Sequence, residues 1–125
     1  MSILLDSDVV IEILRSRNEA VLLQWEELGK TEEVILFSPI TAAEVWAGAR
    51  ASERKATSRL FNFLTCVPPD YTIGQLAGGL LGQFSKSHGL RIADALIAAT
   101  AIHHQAALWT HNRKHYPMQN LSFYS

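Results

Sequence analysis

The chain has 125 residues, of which 48% are hydrophobic, and its formal net charge at pH 7 is −1. A chain of this size can bury a hydrophobic core but is short for two domains, so we expect one domain spanning residues 1–125. The near-zero net charge excludes a basic field over the whole surface. Any binding of nucleic acid must therefore depend on a local patch.

The single cysteine, Cys66, excludes an internal disulfide framework and cysteine-based zinc clusters. We expect this thiol to be buried and inert, as fits a reducing cytoplasm. No basic segment precedes the first apolar run, and no stretch reaches the roughly 20 apolar residues that a membrane span needs. We therefore predict a soluble cytoplasmic protein with no membrane association.

Short apolar runs alternate with segments of helical periodicity along the chain. The first predicted strand covers residues 3–5, and a helix begins directly after Asp6. The other predicted strands are 34–37, 65–67, 107–109 and 121–123, and the other helices are 19–28 (closed by Gly29), 41–49, 52–64, 71–88 and 92–105. The first two strands lack polar alternation, which is typical of strands covered on both faces. We predict an α/β fold with a central, mostly parallel sheet of about four or five strands and helices on both faces.

A small-residue pattern marks the helix predicted at 71–88. Glycines at positions 74, 78 and 82 recur every four residues, so they line one helical face. Such a face permits another helix to approach closely. We interpret it as a surface for helix packing or for dimer formation.

Asp6 lies directly after the first buried strand. In open α/β sheets the functional crevice lies outside the carboxyl ends of the strands, so Asp6 is placed where chemistry is common. The alternative is that Asp6 serves only as a turn or cap residue of the following helix.

Glu44 is the only charged residue between positions 34 and 49, in an otherwise apolar helix. Its isolation indicates a functional role. The alternative is a capping box, because Thr41 and Glu44 have the spacing at which a glutamate satisfies a free amide at a helix start.

Asp94 is the only charged residue between positions 92 and 102, in a helix that is apolar on nearly every face. Buried carboxylates need a cation or hydrogen bonds to compensate for lost hydration. Arg91 could provide that charge at i to i+3 spacing, and the helix dipole favours an acid in the first turn. The alternative to a ligand role is therefore a structural ion pair.

Together, Asp6, Glu44 and Asp94 each lie at a strand end or helix start in apolar surroundings. Three carboxylates at one end of a sheet repel one another unless a divalent cation lies between them. Oxygen ligands favour a hard ion, so we predict Mg²⁺ or Mn²⁺. A few carboxylates with remaining positions left to water form the arrangement that activates water against phosphates.

Four segments, in this order, resemble the motifs of PIN-domain ribonucleases, and specifically of the VapC-type toxins of bacterial and archaeal toxin–antitoxin pairs. They are LDSDVVI at 5–11, ITAAEV at 40–45, IADALIAATA at 92–101 and LWTHN at 108–112. The resemblance covers the whole chain. It implies a three-layer PIN-like fold and metal-dependent endonucleolytic cleavage of RNA, with Asp6, Glu44 and Asp94 binding Mg²⁺ or Mn²⁺ directly or through water.

The resemblance also implies supporting roles near these acids. Thr110 and Asn112 would orient the ligands of the ion or its waters. Asp8 would either join as a further acid or cap the first helix, and we prefer the cap. His115 departs from the common pattern, because many family members have a fourth aspartate at about this position. A neutral imidazole puts a second metal ion in doubt and favours a one-metal site.

Arg113, Lys114 and Arg91 are candidates to guide an RNA backbone, and the alternative is that they form ordinary solvated surface. By resemblance, the partners are a small cognate antitoxin protein and a second copy of the chain, in a homodimer or a toxin–antitoxin hetero-oligomer.

Two alternative functions remain. The histidine at position 115 is compatible with a catalytically impaired PIN fold that binds RNA or protein. The Asp6-x-Asp8 spacing also occurs in haloacid dehalogenase-like phosphohydrolases, where it provides a nucleophile and a general acid. The later lysine and paired-aspartate motifs of that family are not evident here.

Overall fold

A computed structural model describes residues 1–124 and contains four strands and six α-helices within that range. The elements, in chain order, are β1 (Ser2–Leu5), α1 (Ser7–Arg15), α2 (Glu19–Gly29), β2 (Val34–Phe37), α3 (Pro39–Gly48), α4 (Arg54–Phe63), β3 (Thr65–Cys66), α5 (Tyr71–His88), α6 (Ile92–His103) and β4 (Ala107–Trp109). Short 3₁₀ turns cover Ala51–Glu53 and Arg113–His115.

The four strands form one parallel sheet in the order β3-β2-β1-β4. Strand β1 lies inside the sheet, and its residue Ile3 pairs with Ile35 on one side and Ala107 on the other. Because the strands are parallel, their carboxyl ends meet at one edge. The residues that follow β1, β2 and β4 therefore lie near one another, and these are Asp6, Ser38 and Thr110.

Each face of the sheet carries its own hydrophobic core, since successive strand side chains point to opposite faces. Leu4, with its neighbours on β2 and β4, packs against α5 and α6. Ile3 and Leu5 pack on the other face, against α1, α2, α3 and α4. The predicted α/β architecture with helices on both faces is confirmed, with four strands. None of the helices within residues 1–124 is long and apolar enough to cross a membrane.

Several local predictions need correction. The segment predicted as a fifth strand makes only one isolated bridge, between Leu108 and Phe123. Helix α2 does end at Gly29, as predicted, and the residue that caps it is Lys30, with φ −86°. Cys66 is exposed rather than buried. It belongs to a two-residue edge strand whose residues both face solvent.

The glycine face of α5 is exposed. A Cβ atom built at Gly74, Gly78 or Gly82 would meet no other residue within 4 Å. The prediction that this face packs against another helix of the same chain is therefore wrong, whereas the dimer surface stays a prediction. Gly89 ends the helix for a different reason, since its φ of +65° is costly for residues that carry a Cβ.

Candidate metal centre at the carboxyl edge of the sheet

A crevice of about 260 Å³ opens at the carboxyl edge of the sheet. The residue that follows β1, helices α1, α3 and α6, and the loop after β4 all contribute to it. The residues that line it are Asp6, Ser7, Asp8, Glu44, Arg91, Ala93, Asp94, Asn112 and His115. The structure thus brings together the three acids that the sequence singled out, although the first and the last are 88 positions apart.

Asp6 is the most rigidly held of these acids, and it is buried. Its Oδ1 atom accepts a hydrogen bond from the backbone N–H of Ser7 at 2.9 Å and caps α1. Its Oδ2 atom accepts from the hydroxyls of Thr110 and Tyr116, each at 2.8 Å. Asp6 therefore both caps α1 and lines the crevice.

Tyr116 is the partner that sequence reasoning missed. Its ring is buried in the core beneath α5 and α6, and its hydroxyl reaches Asp6 across 110 positions of sequence. Burial, and then the negative charge of Asp6, raise the pKa of Tyr116 far above the ordinary value, so the phenol stays protonated and donates. The sequence feature that could have identified Tyr116 is its aromatic side chain within the mainly polar loop at 110–118.

Glu44 lies on the exposed side of α3 and takes no part in a capping box. The cap of α3 is Ser38, whose hydroxyl accepts from the N–H of Ile40 at 3.2 Å. Thr41 instead donates its hydroxyl to the carbonyl of Leu5 at 3.4 Å. The capping-box interpretation is therefore wrong. Partial burial and the charge of Asp6 raise the pKa of Glu44, and a hydrogen bond from the Ser7 side chain opposes that rise.

Asp94 lies in the first turn of α6, where Arg91 is the cap residue. Within residues 1–124, no ion pair shorter than 4.0 Å joins these two side chains. The Nδ1 atom of His115 lies 3.9 Å from Asp94 Oδ2, and this contact is an ion pair only when the imidazole is protonated. Burial and then the charge of Asp6 raise the pKa of Asp94, while His115 lowers it less. The structural ion pair with Arg91 is not formed.

Asp8 does not cap the first helix, since Asp6 has that position. Asp8 lies in the first turn of α1 and accepts hydrogen bonds from the loop after β4, at the N–H of His111 and the side-chain amide of Asn112. Thr110 also accepts from the N–H of Asn112 at 3.0 Å. The preference for a cap is therefore wrong, and the side chain ties α1 to this loop.

The predicted basic residues line two pockets that adjoin the crevice. Arg91 and His115 line the crevice and a pocket of about 280 Å³ beside it. Arg113 and Lys114 line a larger pocket of about 680 Å³, which shares Asn112 with the crevice. Arg113 is partly engaged there, since it donates to the carbonyl of Tyr124 at 3.4 Å and lies over the ring of Phe123.

The donor set of the crevice suits a hard cation, because apart from the imidazole of His115 it consists of carboxylate, amide and hydroxyl oxygens with no thiolate. Within residues 1–124, however, no group of three His, Cys, Asp or Glu side chains is arranged to hold an ion directly. Mg²⁺ commonly keeps several waters and takes only one or two carboxylates from a protein. The residues present fit that mode of binding rather than a closed cage.

Burial of the acids, and then their mutual repulsion, predict an unusual pH dependence of stability. The pKa values of Asp8, Glu44 and Asp94 are raised above their ordinary values, so the folded chain binds these protons more tightly than the unfolded chain does. Their penalty is fully present above the raised values and is relieved as the pH falls through them toward the ordinary values of 3.8 for Asp and 4.5 for Glu. Without divalent cations, we expect urea unfolding to show that wild type gains stability as the pH falls from neutral toward these values, and that Asp94→Asn gains less. Equal gains in both proteins would contradict this account.

The fold and the crevice together define an open α/β protein with a carboxylate-lined candidate active site. A model of the PIN domain matches residues 3–120. The chain is 34% identical over 116 residues to Ribonuclease VapC19 of Mycobacterium tuberculosis, and the match covers 92% of both chains. It is 33% identical over 117 residues to Ribonuclease VapC10 of the same species, with 93% of this chain and 86% of the relative covered.

Among solved structures, a chain in the crystal structure of VapBC2 from Rickettsia felis, bound to a DNA fragment from its promoter, has a TM-score of 0.81 and 24% identity. That match covers 99% of this chain and 98% of the other. The chain therefore belongs to the PIN-domain family, and the resemblance to VapC-type members that the four sequence motifs indicated is confirmed.

Proposed function

We propose that this protein is a Mg²⁺- or Mn²⁺-dependent endoribonuclease and the toxin of a type II toxin–antitoxin pair. The observation that carries the proposal is the crevice that joins Asp6, Glu44 and Asp94 at the carboxyl edge of the sheet. The names of the two Mycobacterium tuberculosis relatives, both ribonucleases, support the activity. Their identity to this chain exceeds 30% over nearly its full length.

The side chains of the crevice have different proposed roles in phosphodiester hydrolysis. A bound divalent cation supplies Lewis acidity and makes water a better nucleophile near neutral pH. Asp6 and Asp94 would hold the ion, with Thr110 and Tyr116 keeping the Asp6 carboxylate in one orientation. Glu44 is exposed and has a raised pKa, so it is suited to hold the ion through water or to accept a proton from the attacking water.

The basic residues beside the crevice suit an RNA backbone that crosses it. Arg91 lines the crevice itself, and Arg113 and Lys114 line the neighbouring pocket that shares Asn112 with it. Phosphates that flank the cleaved bond would contact these side chains. The acids repel a polyanion unless a cation occupies the crevice, so binding of RNA and of the ion should be cooperative.

A small antitoxin protein and a second copy of the chain are the proposed partners. The fold neighbours include a toxin–antitoxin complex from Klebsiella pneumoniae, and this supports an antitoxin partner. Light scattering of the purified chain should give the mass of two copies. The mass of one copy would contradict the homodimer.

The activity itself is tested with purified protein and a mixed-sequence, single-stranded RNA. We expect cleavage with Mg²⁺ or Mn²⁺, loss of cleavage with a chelator, and recovery when excess cation is added back. Calorimetric titration with Mn²⁺ separates the two candidate functions. Absence of both cleavage and Mn²⁺ binding near millimolar concentration would favour the impaired PIN fold, which the histidine at position 115 motivates.

A further inference from the structure

Asp8 and Asn112 form a contact that the proposed mechanism does not use. The Asp8 Oδ2 atom accepts a hydrogen bond from the Asn112 side-chain amide at 2.9 Å and from the backbone N–H of His111 at 3.0 Å. The Asp8 Oδ1 atom accepts from the N–H of Val9 at 2.8 Å. Two of these three donors come from the loop after β4, so the Asp8 carboxylate joins α1 to that loop.

The contact determines which way the Asn112 amide faces. An ionised carboxylate only accepts hydrogen bonds, so the NH₂ group of Asn112 must point toward Asp8 and its Oδ1 atom must point elsewhere. The backbone of Asn112 is held as well, because its N–H donates to Thr110 at 3.0 Å. Both the position and the rotation of this side chain are thus set by neighbours.

The oxygen that remains accepts no hydrogen bond that would compete with a ligand. Asn112 lines both the crevice and the neighbouring pocket of about 680 Å³. Within residues 1–124, the only buried side-chain nitrogen or oxygen without a hydrogen-bond partner belongs to Glu33, so Asn112 Oδ1, which accepts no protein hydrogen bond, is open to solvent. A neutral amide oxygen beside several carboxylates can bind a hard cation or its water without adding to the negative charge.

We infer that Asp8 is a positioning residue, which orients the Asn112 amide so that its Oδ1 atom binds the divalent cation or a water of that cation. The inference rests on the proposed function, because it assigns a role within the same site. It also gives a role to an acid that lines the crevice and accepts hydrogen bonds from the loop after β4. Outer-shell partners of this kind typically contribute about 10- to 100-fold in metal affinity or activity.

Nuclear magnetic resonance of the cation-free protein tests the contact independently of catalysis. In wild type we expect the side-chain amide protons of Asn112 to exchange with water more slowly than those of Asn62, which is exposed on α4. In Asp8→Ala, exchange at Asn112 should rise to the level of Asn62. Unchanged exchange in Asp8→Ala would overturn the inference.

A double-mutant cycle tests whether Asp8 acts through Asn112. We expect Asp8→Ala to lower kcat/KM for RNA cleavage and to weaken Mn²⁺ binding by about tenfold in wild type, but by less than about twofold when Asn112→Ala is already present. Asp8→Asn should recover most of the loss, because its amide oxygen can accept from Asn112 in the same place. Equal losses in both backgrounds, or an Asp8→Asn variant as impaired as Asp8→Ala, would show that the charge of Asp8 acts directly.

Failure of the proposed function can be distinguished from failure of the positioning role of Asp8. If wild type neither binds Mn²⁺ nor cleaves RNA, the proposed function fails, and the assignment of Asn112 Oδ1 to a cation fails with it. If wild type does both while the cycle is additive, only the positioning role of Asp8 fails.

Discussion

Replacing Asp94 with asparagine is expected to lower RNA cleavage at least about 100-fold without lowering the melting temperature. The activity falls because the crevice loses one of the carboxylates proposed to hold the cation, and even outer-shell partners cost about 10- to 100-fold. Stability is retained because burial and the charge of Asp6 raise the pKa of Asp94, so the ionised side chain opposes folding. Initial cleavage rates and thermal unfolding of the same cation-free preparations provide the two measurements.

Asp70→Asn is the matched control for this change. Asp70 caps α5 and accepts from the N–H of Ile73 at 3.0 Å, and it does not line the crevice. Asparagine caps a helix about as well as aspartate, so this variant should cleave RNA at the wild-type rate. Equal cleavage by wild type and Asp94→Asn would point to a contaminating nuclease and would reject the site.

Replacing Tyr116 with phenylalanine is expected to lower both stability and activity. The hydroxyl of Tyr116 donates to Asp6 at 2.8 Å in a buried setting, and a hydrogen bond to a charged group contributes about 1.5–3 kcal/mol. We expect urea denaturation to show a loss of about that size. With one hydroxyl fewer to hold Asp6, cleavage should fall about tenfold, as for other groups that orient a ligand.

Tyr71→Phe is the matched control. It also removes a tyrosine hydroxyl, but at the start of α5, where the side chain is 80% exposed. Its free energy of unfolding should stay within about 0.5 kcal/mol of wild type, as for most surface changes. A Tyr116→Phe variant as stable as Tyr71→Phe would mean that water replaces the phenol at Asp6. The proposal that Tyr116 fixes the Asp6 carboxylate would then be rejected.

The local sequence determined the architecture and the identity of the three central acids. Continuous apolar runs indicated strands covered on both faces, and the predicted bounds of β2, β4 and α5 agree with the structure. Glu44 and Asp94 stood out because each is the only charge in an apolar segment. A lone charge beside a core is costly unless it has a function or a partner, so this signal is visible without coordinates.

The tertiary structure alone decided how those acids are held. Tyr116 and Thr110 reach Asp6 over 110 and 104 positions of sequence, and Asp8 reaches Asn112 over 104. Nothing in the neighbourhood of a residue in sequence specifies such pairs, because they depend on the parallel register that brings β1 and β4 side by side. The capping-box alternative at Glu44 and the preferred cap at Asp8 fail for a local reason, because Ser38 and Asp6 are the residues that cap these two helices.

Local chemistry thus determined which side chains are unusual, since propensity, apolar periodicity and isolated charge are properties of short segments. The packing of β1 between β2 and β4 decided which of them meet, since parallel strands place the residues that follow them at a common edge. The sequence therefore predicts which acids form the crevice, whereas the folded structure determines the hydrogen bonds that hold them.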